Sequence, residues 1–358
     1  MPRATRLAAV RASLAAAGAD ALLVTDLVNV RYLTGFTGSA AVVLIRRDDV
    51  VFVTDGRYGV QAAGELAAAG VDAEIEVHTR AKQAGVIAAA ASGLRVAIEA
   101  ATMTVAAWRD WASVLAQEPV ETTGLVERAR RCKDAAEIAR IRAAAQIAAD
   151  AFAQVTAHLS PADREVDIAV SIEATMRRLG AEGPSFDTIV ASGPNGALPH
   201  ATPTDRAIGA DPVVVDFGAM VDGYRSDTTR TIALGPVPAE QADAWAAVFE
   251  SQQAGIAALG PGVAAKDIDT ACRDALRRHG LHEYFTTGTG HGVGLHIHED
   301  PYTASATDRL AVGEVITVEP GVYLPGRFGV RIEDFFVITE TGAERLSPAA
   351  LEPLVASG

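Results

Sequence analysis

Apolar residues recur along this chain in two rhythms, short unbroken runs and longer stretches at helical spacing. Thr5–Ala17 has the helical rhythm and ends at Gly18, a glycine stop. Ala21–Thr25 is a short apolar run that predicts a buried strand. Val42–Ile45 and Val50–Thr54 read as neighbouring strands joined by the polar turn Arg46-Arg47-Asp48-Asp49. Gly59–Ala69 is a helix closed by Gly70, Val96–Ile98 a strand and Thr104–Leu115 a helix. Helix and strand alternate throughout this third, which predicts an α/β domain.

The rhythm changes after the charged stretch Glu127–Asp134, which reads as a linker and sets domains of 1–127 and 128–358. Helices are predicted over Ala135–Leu159, stopped by Ser160-Pro161, and over Glu165–Leu179, stopped by Gly180. Strands follow around Ile189–Ala191, Val213–Phe217 and Tyr224–Ala233. Two more helices, Ala239–Leu259 and Lys266–His279 before Gly280, precede strands at Val315–Glu319 and Val330–Thr339. Helices flanking a largely antiparallel sheet predict an α+β second domain.

Composition narrows the function classes. A chain of 358 residues is long for one core, which supports two domains. A formal net charge of −14 with no basic stripe argues against nucleic acid as a partner. No stretch has the uninterrupted apolar length of a membrane span, so no membrane association is expected. Arg11 interrupts the apolar residues of Met1–Asp20, so this segment reads as an amphipathic helix rather than a signal peptide, and a cytoplasmic protein is expected. Cys132 and Cys272 have no CxxC partner and read as reduced thiols.

The second domain carries an unusual set of acidic residues at strand ends. Asp216 closes the apolar run Pro212-Val-Val-Val-Asp216, and Asp227 lies in the returning strand. Between them Asp222-Gly223 is a hairpin-turn signal. With those residues in the turn, Asp216 falls opposite Thr229 and Asp227 lies diagonally on the same face. Two like charges there repel, and burying them without a cation costs several kcal/mol, on the order quoted for buried ions. Glu319 and Glu333 repeat the arrangement about the turn Leu324–Arg327. His291 lies in Gly288-Thr-Gly-His-Gly-Val-Gly294, a loop without the Lys-Ser/Thr ending of a phosphate-binding loop. Carboxylates joined by an imidazole suit Mn, Co, Fe or Zn. His298, in His296-Ile-His298-Glu299, and His200, in Gly196-Ala-Leu-Pro-His200-Ala, join His291 near the same set of carboxylates. His296 would point away from His298 if that segment were extended.

This order of Asp, Asp, His, Glu and Glu, with its steps between the paired acids, resembles the pita-bread metallopeptidases: aminopeptidase P, prolidase and methionine aminopeptidase, with creatinase as a metal-free cousin. The resemblance runs from about Ala135 to the end. Asn29-Val-Arg-Tyr-Leu-Thr-Gly-Phe36 and Thr54-Asp-Gly-Arg-Tyr58 resemble the creatinase-type N-terminal domain of Xaa-Pro peptidases. The resemblance implies an α/β N-terminal domain with an α+β pita-bread catalytic domain. It implies two divalent cations, Mn foremost with Co or Zn as alternatives. Asp227 and Glu333 would bridge them, Asp216 would complete one site, and His291 with Glu319 the other. Glu319 would also act as a base, His298 would steady the tetrahedral intermediate, and His200 would meet the substrate. Arg331 would support the ligands and Tyr323 would line the pocket. The implied activity is cleavage of Xaa-Pro bonds at the N-terminus of proline-containing peptides by a homodimer, as an Xaa-Pro aminopeptidase. The alternatives are a prolidase restricted to dipeptides and a non-catalytic binding protein on the same fold.

Overall fold

The computed structural model describes residues 2–303 and 309–355, which form two compact units, Met1–Arg130 and Arg131–Gly358. The first unit contains α1 (Arg3–Ala16), β1 (Ala21–Val24), α2 (Leu27–Thr34), β2 (Ala41–Arg46), β3 (Val50–Thr54), α3 (Gly59–Ala68), β4 (Glu74–Val77), α4 (Arg80–Ala90), β5 (Val96–Glu99), α5 (Val105–Val114) and β6 (Val120–Thr122). Its sheet has the order β4-β3-β2-β1-β5-β6. Strands β1, β2 and β3 are antiparallel neighbours, while β4, β5 and β6 join in parallel. The expected α/β character is met.

The charge cluster read as a linker is instead largely helical, as α6 (Leu125–Arg131). Leu125, Val126 and the charged Arg130 are buried, while Arg128 is exposed. Arg130 donates to Asn29 Oδ1 at 2.8 Å, and the Tyr32 hydroxyl donates to the Ala129 carbonyl at 2.7 Å. Charge density in the sequence hid a helix whose buried face is set by these tertiary bonds.

The second unit opens with α7 (Ala135–Thr156) and α8 (Glu165–Arg178). Asp134 and Glu137 form a reciprocal capping box that fixes the start of α7. There follow β7 (Gly183–Pro184), β8 (Ile189–Ser192), a 3₁₀ turn at Gly193–Ala197, β9 (Val213–Phe217), β10 (Ala219–Val221), β11 (Tyr224–Arg225) and β12 (Thr228–Ile232). Then come α9 (Ala239–Ala257), α10 (Ala265–Arg278), β13 (His291–Gly292), β14 (Glu299–Tyr302), β15 (Val315–Val318), β16 (Gly321–Leu324), β17 (Phe328–Arg331), β18 (Asp334–Thr339) and β19 (Gly342–Arg345). Helices α7 and α8 share an apolar core with β8, β9 and β10. Helices α9 and α10 share another with β15 to β18. Among the described residues, no helix is long and apolar enough to cross a membrane.

Two stretches expected as single strands are broken, and both breaks carry an acidic residue. Tyr224–Ala233 splits into β11 and β12 around Ser226-Asp227. The backbone is tight there: a Cβ at Gly218 would lie 2.0 Å from the Ser226 carbonyl oxygen. Val330–Thr339 splits into β17 and β18 around Ile332-Glu333. The Glu333 N–H turns out of its hairpin and donates to the Thr229 carbonyl at 3.1 Å. A break frees a residue from the strict alternation of a strand, so its side chain is aimed independently of its neighbours.

Candidate metal centre

The hairpin register brings the first two acids together. Asp222 and Gly223 occupy the turn with φ of 49° and 76°, the left-handed conformation of a two-residue hairpin loop. The register then places Asp216 opposite Thr229. Strand β9 alternates: Val213, Val215 and Phe217 enter the core under α7 and α8, while Asp216 faces away from it. The second hairpin keeps one register across its break. Val318 pairs with Asp334 and Gly321 with Arg331, so Glu319 lies opposite Glu333. The glycines around His291 permit close backbone approach. A Cβ at Gly290 would sit 2.1 Å from the Thr317 carbonyl oxygen, and one at Gly292 would sit 2.4 Å from that of Asp300.

Asp216, Asp227, His291, Glu319 and Glu333 line one cavity of about 640 Å³, together with His200, His298, Tyr323 and Arg331. Ligand-type atoms of Asp227, His291 and Glu333 lie within 4.8 Å of one another. His291 Nε2 is 3.3 Å from Glu319 Oε1 and 3.7 Å from Asp227 Oδ2. Its Nδ1 is 3.1 Å from the Gly292 carbonyl, an acceptor for an Nδ1–H, and its Nε2 faces the carboxylates. Asp216 and Glu319 stand outside the tightest group. Asp216 Oδ2 accepts from Arg331 Nη2 at 2.6 Å, and Glu319 is held by His291 and by the Thr317 hydroxyl at 3.2 Å.

The electrostatics are those of a site built around positive charge. Burial, then the charge of Asp216, drives the Asp227 carboxyl well above its ordinary range. Burial, then the charge of Asp227, does the same to Glu333. Asp216 is raised by burial despite Arg331. Burial would raise Glu319 too, but His291 and Arg331 outweigh it and hold this carboxyl low. Burial opposes charge on His291, yet its bond to Glu319 and the charges of Glu319 and Asp227 lift it to about 9. Among the described residues, Asp216 Oδ1 and Glu333 Oε1 are buried without a hydrogen-bond partner. Buried oxygens of this kind demand an explanation, and a divalent cation supplies one. The donor set of carboxylates plus one imidazole fits such an ion.

The supporting residues were less visible in the sequence. The Thr229 hydroxyl donates to Glu333 Oε2 at 2.7 Å, and Thr317 Oγ1 accepts from the His291 N–H at 3.0 Å. Each threonine stands two residues from a ligand-type acid, a period-two signal that could have found them. His296 does not line the cavity, but the parity reason for this fails, because residues 294–298 form successive bends rather than a strand. His298 and His200 are exposed, whereas His291 is buried. Burial and then the charge of His291 lower the His298 imidazole.

His200 lies on a segment anchored from below by Glu165, the first residue of α8 and fully buried. Its carboxylate accepts from the Ser192 N–H (2.7 Å) and hydroxyl (2.8 Å), from Asn195 Nδ2 (2.9 Å) and from the Thr204 N–H (3.1 Å) and hydroxyl (2.6 Å). Burial would raise this carboxyl, but the donors outweigh it and hold it below 4.5, the ordinary value. A depressed carboxyl contributes stability above its unfolded value and loses it as pH falls through the folded one. Glu165→Gln is therefore expected to cost about 1–3 kcal/mol at pH 7, read from the urea midpoint. The gap from wild type should narrow below pH 4.5. A gap independent of pH would remove the carboxylate charge from this account.

The fold and cavity together define a pita-bread metallopeptidase, and comparison with known proteins makes this specific. The sequence matches metallopeptidase family M24 over residues 139–340 and the creatinase/prolidase N-terminal domain over residues 6–132. The chain belongs to metallopeptidase family M24. It is 40% identical to an Xaa-Pro dipeptidase of Pyrococcus furiosus over 232 residues, 64% of this chain and 67% of that one. The solved structure of an Xaa-Pro dipeptidase from Bacillus anthracis superposes with a TM-score of 0.95 at 35% identity, covering 99% of both chains. An X-Pro aminopeptidase from Thermotoga maritima gives 0.86 at 33% identity, covering 93% of this chain and 97% of that one.

Proposed function

We propose that the protein is a dinuclear metal-dependent Xaa-Pro dipeptidase. Metal dependence rests on the cavity, five ligand-type side chains with uncompensated buried carboxylate oxygens, and the observation that carries the dipeptidase reading is similarity to an Xaa-Pro dipeptidase over 99% of both chains. This replaces the aminopeptidase expectation with its dipeptidase alternative. In this reading Asp227 and Glu333 would hold both cations, Asp216 would complete one site, and His291 with Glu319 would complete the other. Mn is the expected metal, with Co or Zn able to substitute. The bound cations supply an activated water and polarise the scissile carbonyl. Glu319 would take the proton from the attacking water. His298, exposed in the cavity and with an imidazole that favours neutrality, donates to the developing oxyanion. His200 orients the substrate from the opposite segment. Phe186, Ile189, Pro199, Ala201 and Ile297 give the cavity an apolar wall suited to a proline ring. The working state we propose is a cytoplasmic homodimer.

One observation favours the second reading, an Xaa-Pro aminopeptidase. Among the described residues, Arg331 is the only Arg or Lys lining the cavity, and its guanidinium is engaged by Asp216, Thr229, Tyr323 and Pro199. No uncommitted arginine or lysine there meets the carboxylate of a dipeptide. The experiment is hydrolysis of Ala-Pro and Ala-Pro-Ala by chelated enzyme with and without added Mn. The dipeptidase reading expects no turnover without metal and at least a tenfold preference for Ala-Pro in kcat/KM, about 1.4 kcal/mol. Equal or faster cleavage of Ala-Pro-Ala would establish the aminopeptidase instead.

A further inference from the structure

His298 has to act from an exposed position, and little holds its ring. Its ring centroid lies 4.3 Å from that of His291 in an edge contact. Among the described residues, no hydrogen bond fixes the imidazole. Its placement therefore comes from the bends over residues 294–298 and from the residue that follows, Glu299.

Glu299 is anchored in an unusual way. Its carboxylate lies 2.6 Å from the ammonium of Lys133, and that lysine side chain is 1% exposed. Lys133 Nζ also donates to the Arg131 carbonyl at 3.0 Å, and its backbone N–H to the Gly313 carbonyl at 2.8 Å. The next residue, Asp134, caps α7, so Lys133 cannot shift without disturbing that helix. The pair is packed against Gly294. A Cβ there would lie 2.3 Å from Glu299 Oε1 and 3.0 Å from Lys133 Cε. The Gly294 carbonyl accepts from the Arg225 N–H at 2.9 Å, and its own N–H donates to the His296 carbonyl at 3.0 Å. Thus both ends of the loop bearing His298 close on one buried ion pair. A lysine seldom occupies such a place, because burying its charge is costly unless it is paired and bonded.

We infer that Lys133 is a positioning residue for His298, acting through its buried ion pair with Glu299. This rests on the role given to His298 above. Lys133 lies outside the cavity and does not reach the metal-ligand set. Losing it loosens the loop and misplaces the imidazole, while the ligands keep their places. Small misplacements are costly in catalysis, with about 1 Å worth 10²-fold.

The test is a double-mutant cycle between Lys133→Met and His298→Ala, with metal content measured throughout. Lys133→Met is expected to lower kcat at least about tenfold, within that range, with KM and bound metal near wild type. In the His298→Ala background the same substitution should change kcat less than about twofold, because coupled sites are non-additive. Equal losses in both backgrounds, or an unchanged kcat in Lys133→Met, would overturn the proposal. A His298→Ala enzyme with wild-type kcat would instead sink the role of His298. If Lys133→Met does not fold, Lys133→Met/Glu299→Gln removes both charges together and takes its place in the cycle. Full kcat in that double variant would equally overturn the proposal.

Discussion

Replacing Asp227 with asparagine is expected to remove activity while leaving the metal-free fold at least as stable as wild type. The two effects have one cause. Asp227 is buried beside Asp216, His291, Glu319 and Glu333, and three of these are carboxylates. Asparagine keeps the shape and loses the charge. Without metal, this relieves a carboxylate that burial and its neighbours disfavour, so stability should be unchanged or higher by about 1–2 kcal/mol. With metal, the same loss removes the ligand assigned to both cations. Turnover should fall by at least about 10²-fold, the scale on which loss of one charge-stabilising group registers. Metal analysis should find fewer bound ions. The measurements are kcat on Ala-Pro, metal content after dialysis, and melting temperature with chelator. An Asp227→Asn enzyme holding two ions with near-normal turnover would take Asp227 out of the ligand set.

The parts of this centre legible in the sequence were those fixed by local rules. Asp222-Gly223 set a hairpin register, and that register alone placed Asp216 opposite Thr229. The apolar run before Asp216 showed that its strand is buried. What could not be read was where strands break. Asp227 and Glu333 look like ordinary strand positions, and only the Glu333 N–H reaching Thr229 shows why alternation stops there. In the first unit, α4 leaves no signal in the sequence because its alanines offer no contrast of apolar and polar faces, and Ile87 is its one buried residue. Helix α2 is short and rich in β-branched residues. Its signals were the Asp26 cap, accepting from the Val28 N–H at 2.9 Å, and Gly35 at φ 82°. The α/β and α+β classes survived these omissions because each unit still had enough strands of the right rhythm. Substrate length was beyond the sequence for a different reason. The sequence does not show that Arg331 is already paired with Asp216, Thr229, Tyr323 and Pro199, because pairing is tertiary.

Arg331 shows the consequence of such pairing, and its removal is expected to act with the opposite sign to that of Asp227. The guanidinium donates to Asp216 Oδ2 (2.6 Å), Thr229 Oγ1 (2.9 Å), the Tyr323 hydroxyl (2.9 Å) and the Pro199 carbonyl (3.0 Å). It joins β17 to the strand that carries Asp216 and to the segment that carries His200. With His291 it is also one of the buried positive charges that offset the acidic cluster when no cation is bound. Arg331→Met keeps much of the volume but strands Asp216 and leaves buried acceptors without a donor. Breaking a buried pair this way costs about 3–5 kcal/mol. In a unit of this size that is a drop on the order of 10 °C in melting temperature, measured with chelator. Excess Mn should restore part of the loss, because a ligand that binds only the folded state stabilises it by mass action. Arg331→Lys should recover less than wild type, since an ammonium cannot reproduce the planar fork that serves these separate acceptors. A metal-free Arg331→Met protein melting within about 1 °C of wild type, far inside the shift that a broken buried pair implies, would show that the acidic cluster does not depend on this arginine.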